Sequence, residues 1–213
     1  MIKLDILSDP ICPWCLIGKT NLDRALQDNP NHPFAIEWHP FQLNPNMPSE
    51  GVDRRTYLEA KFGGQKGAIE VYSRIDVAAK DVGLDINWSG ITRTPNTFNA
   101  HRLIHWAGIE GCQIAVVAAL FQAYFFDGSD IGDTDTLVKI GETCGMDAGV
   151  TARLLSSESD RQPLRERESH SREMGVKSVP TFIVNNQAVV PGAQPASFWA
   201  EVIADYNTEE PAD

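Results

Sequence analysis

The chain has few basic residues, few cysteines and no long apolar run, and each shortage excludes a class of function. Its 213 residues include 18 Lys or Arg against 29 Asp or Glu, a formal net charge of −11. A chain this acidic lacks the electrostatic footprint for nucleic-acid backbones and for anionic membrane surfaces, so neither is expected as a partner. No run approaches the roughly 20 apolar residues that cross a bilayer. The N-terminus does not read as a secretory signal either, because Asp5 and Asp9 interrupt its apolar residues and no small-residue cleavage site follows. A cytoplasmic location is the expectation. Four cysteines are too few for a disulfide scaffold, and a reducing compartment would not keep one oxidised. A zinc ribbon needs two close pairs; Cys12 and Cys15 form one, but Cys112 and Cys144 stand too far apart to form the other. No metal and no required cofactor are expected.

What is present is ordinary globular material. Hydrophobic residues make up 42% and charged residues 22%, enough to bury a core without staples. Ile2, Leu4 and Ile6 alternate with Lys3 and Asp5, a strand ended by Asp9-Pro10. Leu16, Ile17, Leu22 and Leu26 then recur at helical spacing up to Asn29-Pro30. A second strand covers residues 34–41. From about Pro48 to Arg172 the pattern is helical: one helix over 54–82, weakened at Gly63-Gly64, another from Thr97, an apolar one over 114–126, then 136–144, 147–156 and 158–174. Strand patterns return at 179–184 and 187–190 around an Asn185-Asn186 turn, and a last helix opens at Pro195 or Ala196. The order β-α-β, helices, β-β-α implies a small α/β sheet unit split by a helical insertion.

Cys12-Pro13-Trp14-Cys15 carries the chemistry, because it falls where a strand ends and a helix begins. A thiol at a helix N-terminus faces unpaired N–H groups and the positive end of the macrodipole, which favour the thiolate. Pro13 suits the first helical turn, where a missing N–H costs nothing. Cys15, one turn on, is close enough to close a disulfide with Cys12. Cys12 is therefore read as the attacking thiolate and Cys15, deeper in the helix, as the resolving thiol.

The same residues resemble a known family. Asp9-Pro10-Ile11-Cys12-Pro13-Trp14-Cys15, Pro95-Asn96-Thr97 with Ala100-His101-Arg102-Leu103, Gly175-Val176-Lys177-Ser178-Val179-Pro180-Thr181-Phe182 and Gly192-Ala193-Gln194 together resemble the FrnE-like group of the DsbA branch of the thioredoxin superfamily. The likeness runs from Leu4 to about Tyr206. It implies an α/β thioredoxin-like fold with a large α-helical insertion: residues 1–42 and 175–206 for the thioredoxin-like part, 43–174 for the insertion, and 207–213 as a frayed tail. It implies a thiol-disulfide oxidoreductase or isomerase acting on thiols or disulfides of proteins or small molecules. It also implies a cis Val179-Pro180 bond facing the cysteine pair, with the Val179 backbone pairing an extended substrate. From the residues alone, Pro180 could equally be a trans proline opening an edge strand. Pro13, Trp14, Val179, Pro180, Gly192, Ala193 and Gln194 are the substrate-binding candidates, with Gly192-Ala193-Gln194 as a loop at the rim and Trp14 exposed.

The chain departs from the superfamily in two places. Thioredoxin keeps a buried carboxylate six positions before its first cysteine; here that position is Ile6, and Asp9 or Glu37 is the candidate for handling the Cys15 proton. Trp14 stands where DsbA has His, which implies a weaker oxidant. His39, Phe41, Asn96 and His101 are candidates for a pocket wall, although His39 also reads as a satisfied structural histidine, and Thr97 with Asn96 as a helix cap. Cys112 and Cys144 read as inert thiols. The resemblance extends to kappa-class glutathione transferases and 2-hydroxychromene-2-carboxylate isomerases, which makes a glutathione-dependent isomerase or transferase the alternative and glutathione a candidate co-substrate. Those enzymes typically carry Ser at the Cys12 position, which argues against that alternative. A non-enzymatic interaction module is a further alternative. Relatives of both kinds include dimers, so a homodimer is among the expected states.

Overall fold

A computed structural model describes residues 1–208. Strand β1 (Ile2–Ser8) lies inside a four-stranded sheet of order β2-β1-β5-β6, with β2 at Phe34–Pro40, β5 at Thr181–Val184 and β6 at Ala188–Pro191. It pairs in parallel with β2 and antiparallel with β5. A parallel pair needs a crossover, and helix α1 (Pro13–Asp28) supplies it. Period-2 alternation puts Leu4 and Ile6 on one face beside Val184 and Phe182, all buried. On that face Phe182 meets Trp199 of α9 (Ala196–Thr208) edge to face, with ring centroids 4.7 Å apart. Asn185 and Asn186 take positive φ angles of 53° and 55°, as a two-residue hairpin turn between twisted strands requires.

The rest of the chain is helical apart from one short ribbon. The helix expected over 54–82 is two helices, α2 (Arg54–Phe62) and α3 (Gln65–Asp81). Gly63 ends α2 in the left-handed conformation at φ 75°, and Gly64 follows at φ 106°, so the Gly-Gly pair breaks the helix outright. Val52–Asp53 (β3) and Arg93–Thr94 (β4) pair as a ribbon that two-residue strands do not announce in sequence. Helices α4 (Phe98–Ile109), α5 (Gln113–Phe125) and α8 (Arg161–Glu173) pack against β2. Helices α6 (Thr134–Thr143) and α7 (Ala148–Ser156) pack on α4. Buried Arg102 fastens this layer: its guanidinium donates to the carbonyls of Leu154, Leu155, Ser157 and Ser159 and stacks 4.8 Å from the Trp106 ring. Helix α9 continues through Thr208, so the tail expected to fray from 207 is helical for two more residues; residues 209–213 lie outside the described residues.

Helix α1 approaches β5 closely because residue 18 is glycine. A Cβ there would lie 3.1 Å from Pro180 Cγ and 3.4 Å from both Ala193 Cα and Phe182 Cζ. One methyl group already forces its neighbours to move, and a branched side chain has no room. We expect Gly18→Val to overpack this contact and destabilise the fold by about 1–3 kcal/mol. A urea midpoint equal to that of the wild type would show that the contact carries no such strain.

Candidate active site

Cys12 is the N-cap of α1, and Pro13 is its first helical residue. The chain turns tightly into that position: Ile11 N–H donates to the Asp9 side chain at 3.3 Å and Cys12 N–H to the Asp9 carbonyl at 2.9 Å. Cys12 Sγ donates to the Val179 carbonyl at 3.6 Å, across 167 residues of sequence. The Val179-Pro180 bond is cis, as the resemblance implies. β5 begins only at Thr181, so Val179 and Pro180 form the turn ahead of the strand. Pro180 accepts a 2.8 Å hydrogen bond on its carbonyl from Gly192 N–H, and Asn21 Nδ2 on α1 donates to the Gln194 carbonyl at 2.9 Å. The Gly192-Ala193-Gln194 loop is thereby tied to both the Pro180 turn and α1. The Gln194 side chain turns back to the Pro191 carbonyl at 2.8 Å. Trp14 is 40% exposed, beside a Cys12 that is only 4% exposed.

The two thiols sit in different surroundings. Cys15 is wholly buried, and burial pushes its thiol pKa well up, reinforced by its hydrogen bond and charge interaction with Cys12. The Ser8 hydroxyl and the Asp9 backbone oppose that rise, which places both beside Cys15 Sγ. The Asp9 carboxylate is also fully buried. Burial raises its pKa to about 7, against hydrogen bonds from Leu43 N–H at 2.7 Å, from Ile11 N–H and from the Thr97 hydroxyl. His101 points at it, with Nε2 3.9 Å from Asp9 Oδ1 and no hydrogen-bond partner of its own. Burial lowers the His101 pKa to about 3, so the imidazole is neutral and the two groups do not form an ion pair near neutrality.

The remaining sequence candidates divide. Asn96 lies in a polar seam behind Asp9: its Oδ1 accepts from Phe98 N–H at 2.9 Å and from Gln42 Nε2 at 3.3 Å. Asn96, not Thr97, thus caps α4 through its side chain. Gln42 N–H in turn donates to buried Glu168 at 2.8 Å. Glu37 is not placed for the Cys15 proton. It belongs to the sheet face of Lys3 and Asp5, opposite that of Ile6, and pairs with Lys3 at 3.6 Å and Arg167 at 3.8 Å. His39 is the structural histidine, bound to Asp5 Oδ1 at 2.6 Å. Asp5, Glu37 and His39 offer ligand atoms within 4.8 Å of one another, but the Lys3 ammonium already lies 3.0 Å from Asp5. Phe41 is core, capped by the Arg172 guanidinium 4.0 Å from its ring centroid. Cys112 and Cys144 are half-buried rather than fully buried, and burial raises both thiol pKa values.

Sequence reasoning missed Ser8, Gly18, Asn21 and Gln42. Periodicity held a signal for three of them. Ser8 is two residues past Ile6 on the same sheet face, and Gly18 and Asn21 follow Cys15 at steps of three along α1.

Comparison with known proteins agrees with this geometry. The chain is 27% identical over 205 residues to the uncharacterized protein YwbO of Bacillus subtilis, with 96% of each chain covered. Its fold superposes on the crystal structure of the probable DsbA oxidoreductase SCO1869 of Streptomyces coelicolor with a TM-score of 0.86, at 26% identity, over 100% of this chain and 93% of that one. It shares its fold with the cytosolic disulfide reductase DsbM of Pseudomonas aeruginosa, also solved with GSH, at a TM-score of 0.70 and 19% identity over 97% and 99% of the two chains. A family model, the DSBA-like thioredoxin domain, matches residues 3–204, and the chain belongs to that family.

Proposed function

We propose that the protein is a thiol-disulfide oxidoreductase or isomerase in which Cys12 attacks and Cys15 resolves. One observation carries this reading: Cys12 caps a helix against the cis Val179-Pro180 turn, while Cys15 lies buried one turn behind it. The Cys12 thiolate attacks one sulfur of a substrate disulfide, forming a mixed disulfide and releasing the other sulfur as a thiolate that takes up a proton. Cys15 then gives up its proton and attacks Cys12 Sγ, releasing the second substrate thiol. The chain ends with a Cys12–Cys15 disulfide and the substrate gains two electrons; run backwards, the same steps oxidise a dithiol. The Val179 carbonyl and the loop tied to Pro180 hold an extended substrate at the rim by strand addition, beside exposed Trp14. Residues 43–174 act as a helical insertion that shapes the substrate side, and a reducing compartment suits the four free thiols. Glutathione is the small co-substrate we test, since the DsbM fold has been solved with it.

Asp9 is the group we assign to the Cys15 proton. Its backbone lies beside Cys15, and burial raises its carboxyl pKa to about 7, so it can take a proton near neutrality. The lone His101 ring opposite stays neutral and leaves that proton on Asp9.

Titration in glutathione redox buffers, read by thiol alkylation and mass, should show one reversible two-electron transition. Cys12→Ser should abolish it, and Cys15→Ser should accumulate a glutathione adduct on Cys12. The absence of a transition in the wild type, with both thiols unchanged, would sink the dithiol reading. In turnover, Asp9→Asn should slow release of the mixed disulfide by about 10²-fold and remove an inflection near pH 7. A variant that keeps the inflection would clear Asp9 of the role.

Stability should report the same pair. Folding raises the Asp9 pKa to about 7, so between the ordinary carboxylate range and that value the folded chain binds more protons than the unfolded one. Stability from Asp9 therefore falls as pH rises through that interval. Folding lowers the His101 pKa to about 3, so its contribution rises with pH until the ordinary histidine range is passed. From about pH 4 to 6.5 the two slopes oppose each other. Asp9→Asn leaves His101 alone, and its urea-unfolding free energy should then climb by up to about 1.4 kcal/mol per pH unit in that window. A flat profile in the variant would contradict the assignment.

A further inference from the structure

A cleft of about 700 Å3 opens between α2, α3 and the segment leading into β4. Its volume is that of a small-molecule site. The walls are largely apolar: Leu58, Ala68, Ile69 and Ile91, with the Tyr72 and Trp88 rings edge to face at 5.1 Å. At its inner end stands Arg54, only 8% exposed. The guanidinium carbon lies 5.1 Å from the Tyr72 ring centroid, 5.8 Å from that of Trp88 and 5.9 Å from that of Tyr124.

Arg54 carries a buried positive charge with no negative partner among the described residues. Its side chain has only neutral phenols as hydrogen-bonding neighbours among the described residues: Nη1 donates to the Tyr124 hydroxyl at 2.9 Å, and the Tyr72 hydroxyl is the other. Burial raises the Tyr124 phenol well above its ordinary range and raises the Tyr72 phenol too, so neither ring supplies a counter-charge. The carboxylates lining the cleft are engaged elsewhere. Asp53 caps α2 through Thr56 N–H at 2.8 Å, Glu59 pairs with Arg55 at 2.8 Å, and Asp76 holds both Lys80 and the Trp88 indole at 2.8 Å. A guanidinium has five donors in a planar fork that suits a carboxylate, and a buried charge without a counter-ion is costly. In a chain of net charge −11, holding an anion requires such a local cation.

We propose that this cleft binds a small-molecule carboxylate carried on a flat apolar body, with Arg54 as its counter-ion. The carboxylate takes the free edge of the guanidinium, and the body lies against Tyr72, Trp88 and the aliphatic wall. Helix α3 packs on α1, and burial is the main cause of the Tyr72 shift, with the Cys12 charge among the lesser ones. Binding there does not depend on redox chemistry.

Calorimetric titration with 2-naphthoate tests this, with uncharged 2-naphthamide as the comparator. One 2-naphthoate should bind, and 2-naphthamide should bind at least ten-fold more weakly. Arg54→Gln should erase the difference between the probes. Because Arg54 is buried, a second variant acts at the mouth: Ile69 is 58% exposed, so Ile69→Glu adds a repelling charge without disturbing the core. Ile69→Glu should weaken 2-naphthoate at least ten-fold and leave the melting temperature unchanged. Cys12→Ser should bind 2-naphthoate as the wild type does, which separates this result from that of the redox titration. Equal affinity for the two probes, no binding of either, or an Ile69→Glu variant that binds 2-naphthoate as well as the wild type would overturn the proposal.

Discussion

The functional geometry depends on the close approach of the first turns of α1 to the Val179-Pro180 turn. Cys12 Sγ meets the Val179 carbonyl there across 167 residues of sequence, and Gly18 lies against the Pro180 ring. A helix cannot lie this near a backbone turn unless the facing residue lacks a side chain, and Gly18 satisfies that condition. Two ties hold the approach in register, one from Asn21 to the Gln194 carbonyl and one from Gly192 to Pro180. Both use backbone atoms of the 192–194 loop, so that loop works as a clamp on the turn whatever its side chains do.

Behind the thiols the interior is polar, and burial drives two of its groups, Asp9 and His101, toward their uncharged forms. Asp9 and His101 face each other with their pKa values moved in opposite directions by one cause, the lack of water. A buried carboxylate normally needs a cation or several donors. Here it has the Leu43 and Ile11 N–H groups, and a histidine that declines the proton. The outcome is a buried carboxyl group whose pKa is raised to about 7. In this chain it comes from the end of β1 rather than from inside it, since Ile6 fills the position within the strand. The seam of Gln42, Asn96 and Glu168 fixes the loop from which Leu43 donates, and so links the helical layer to Asp9.

Arg54 breaks the rule that the rest of the molecule obeys. Elsewhere buried cations have partners: Arg102 is saturated by carbonyls, and Lys19 lies on Asp23. Aromatic rings on several sides of Arg54 stabilise a cation in part but do not neutralise it. The contrast makes the α2–α3 cleft a place of recognition rather than of packing.

Local pattern alone determined a good deal. Alternation in β1, the helical period after Cys12, the Asn185-Asn186 turn and the dithiol at a strand-to-helix junction are short-range properties, written in neighbouring residues. The resemblance in the cysteine and Val-Pro-Thr-Phe motifs supplied the cis bond and the thioredoxin-like sheet. Tertiary structure decided what depends on long-range distance and on water exclusion. Asp9 and Glu37 were indistinguishable as carboxylates in the sequence; full burial on a segment whose backbone touches Cys15 favours Asp9 for the proposed role, and Glu37 faces Lys3 and Arg167 on the outer sheet face. His39 and His101 read alike until one meets Asp5 and the other is sealed without a partner. Arg54 carried no signal at all, because the absence of a counter-ion is a fact about every neighbour a residue has in space, and the sequence gives only its neighbours along the chain.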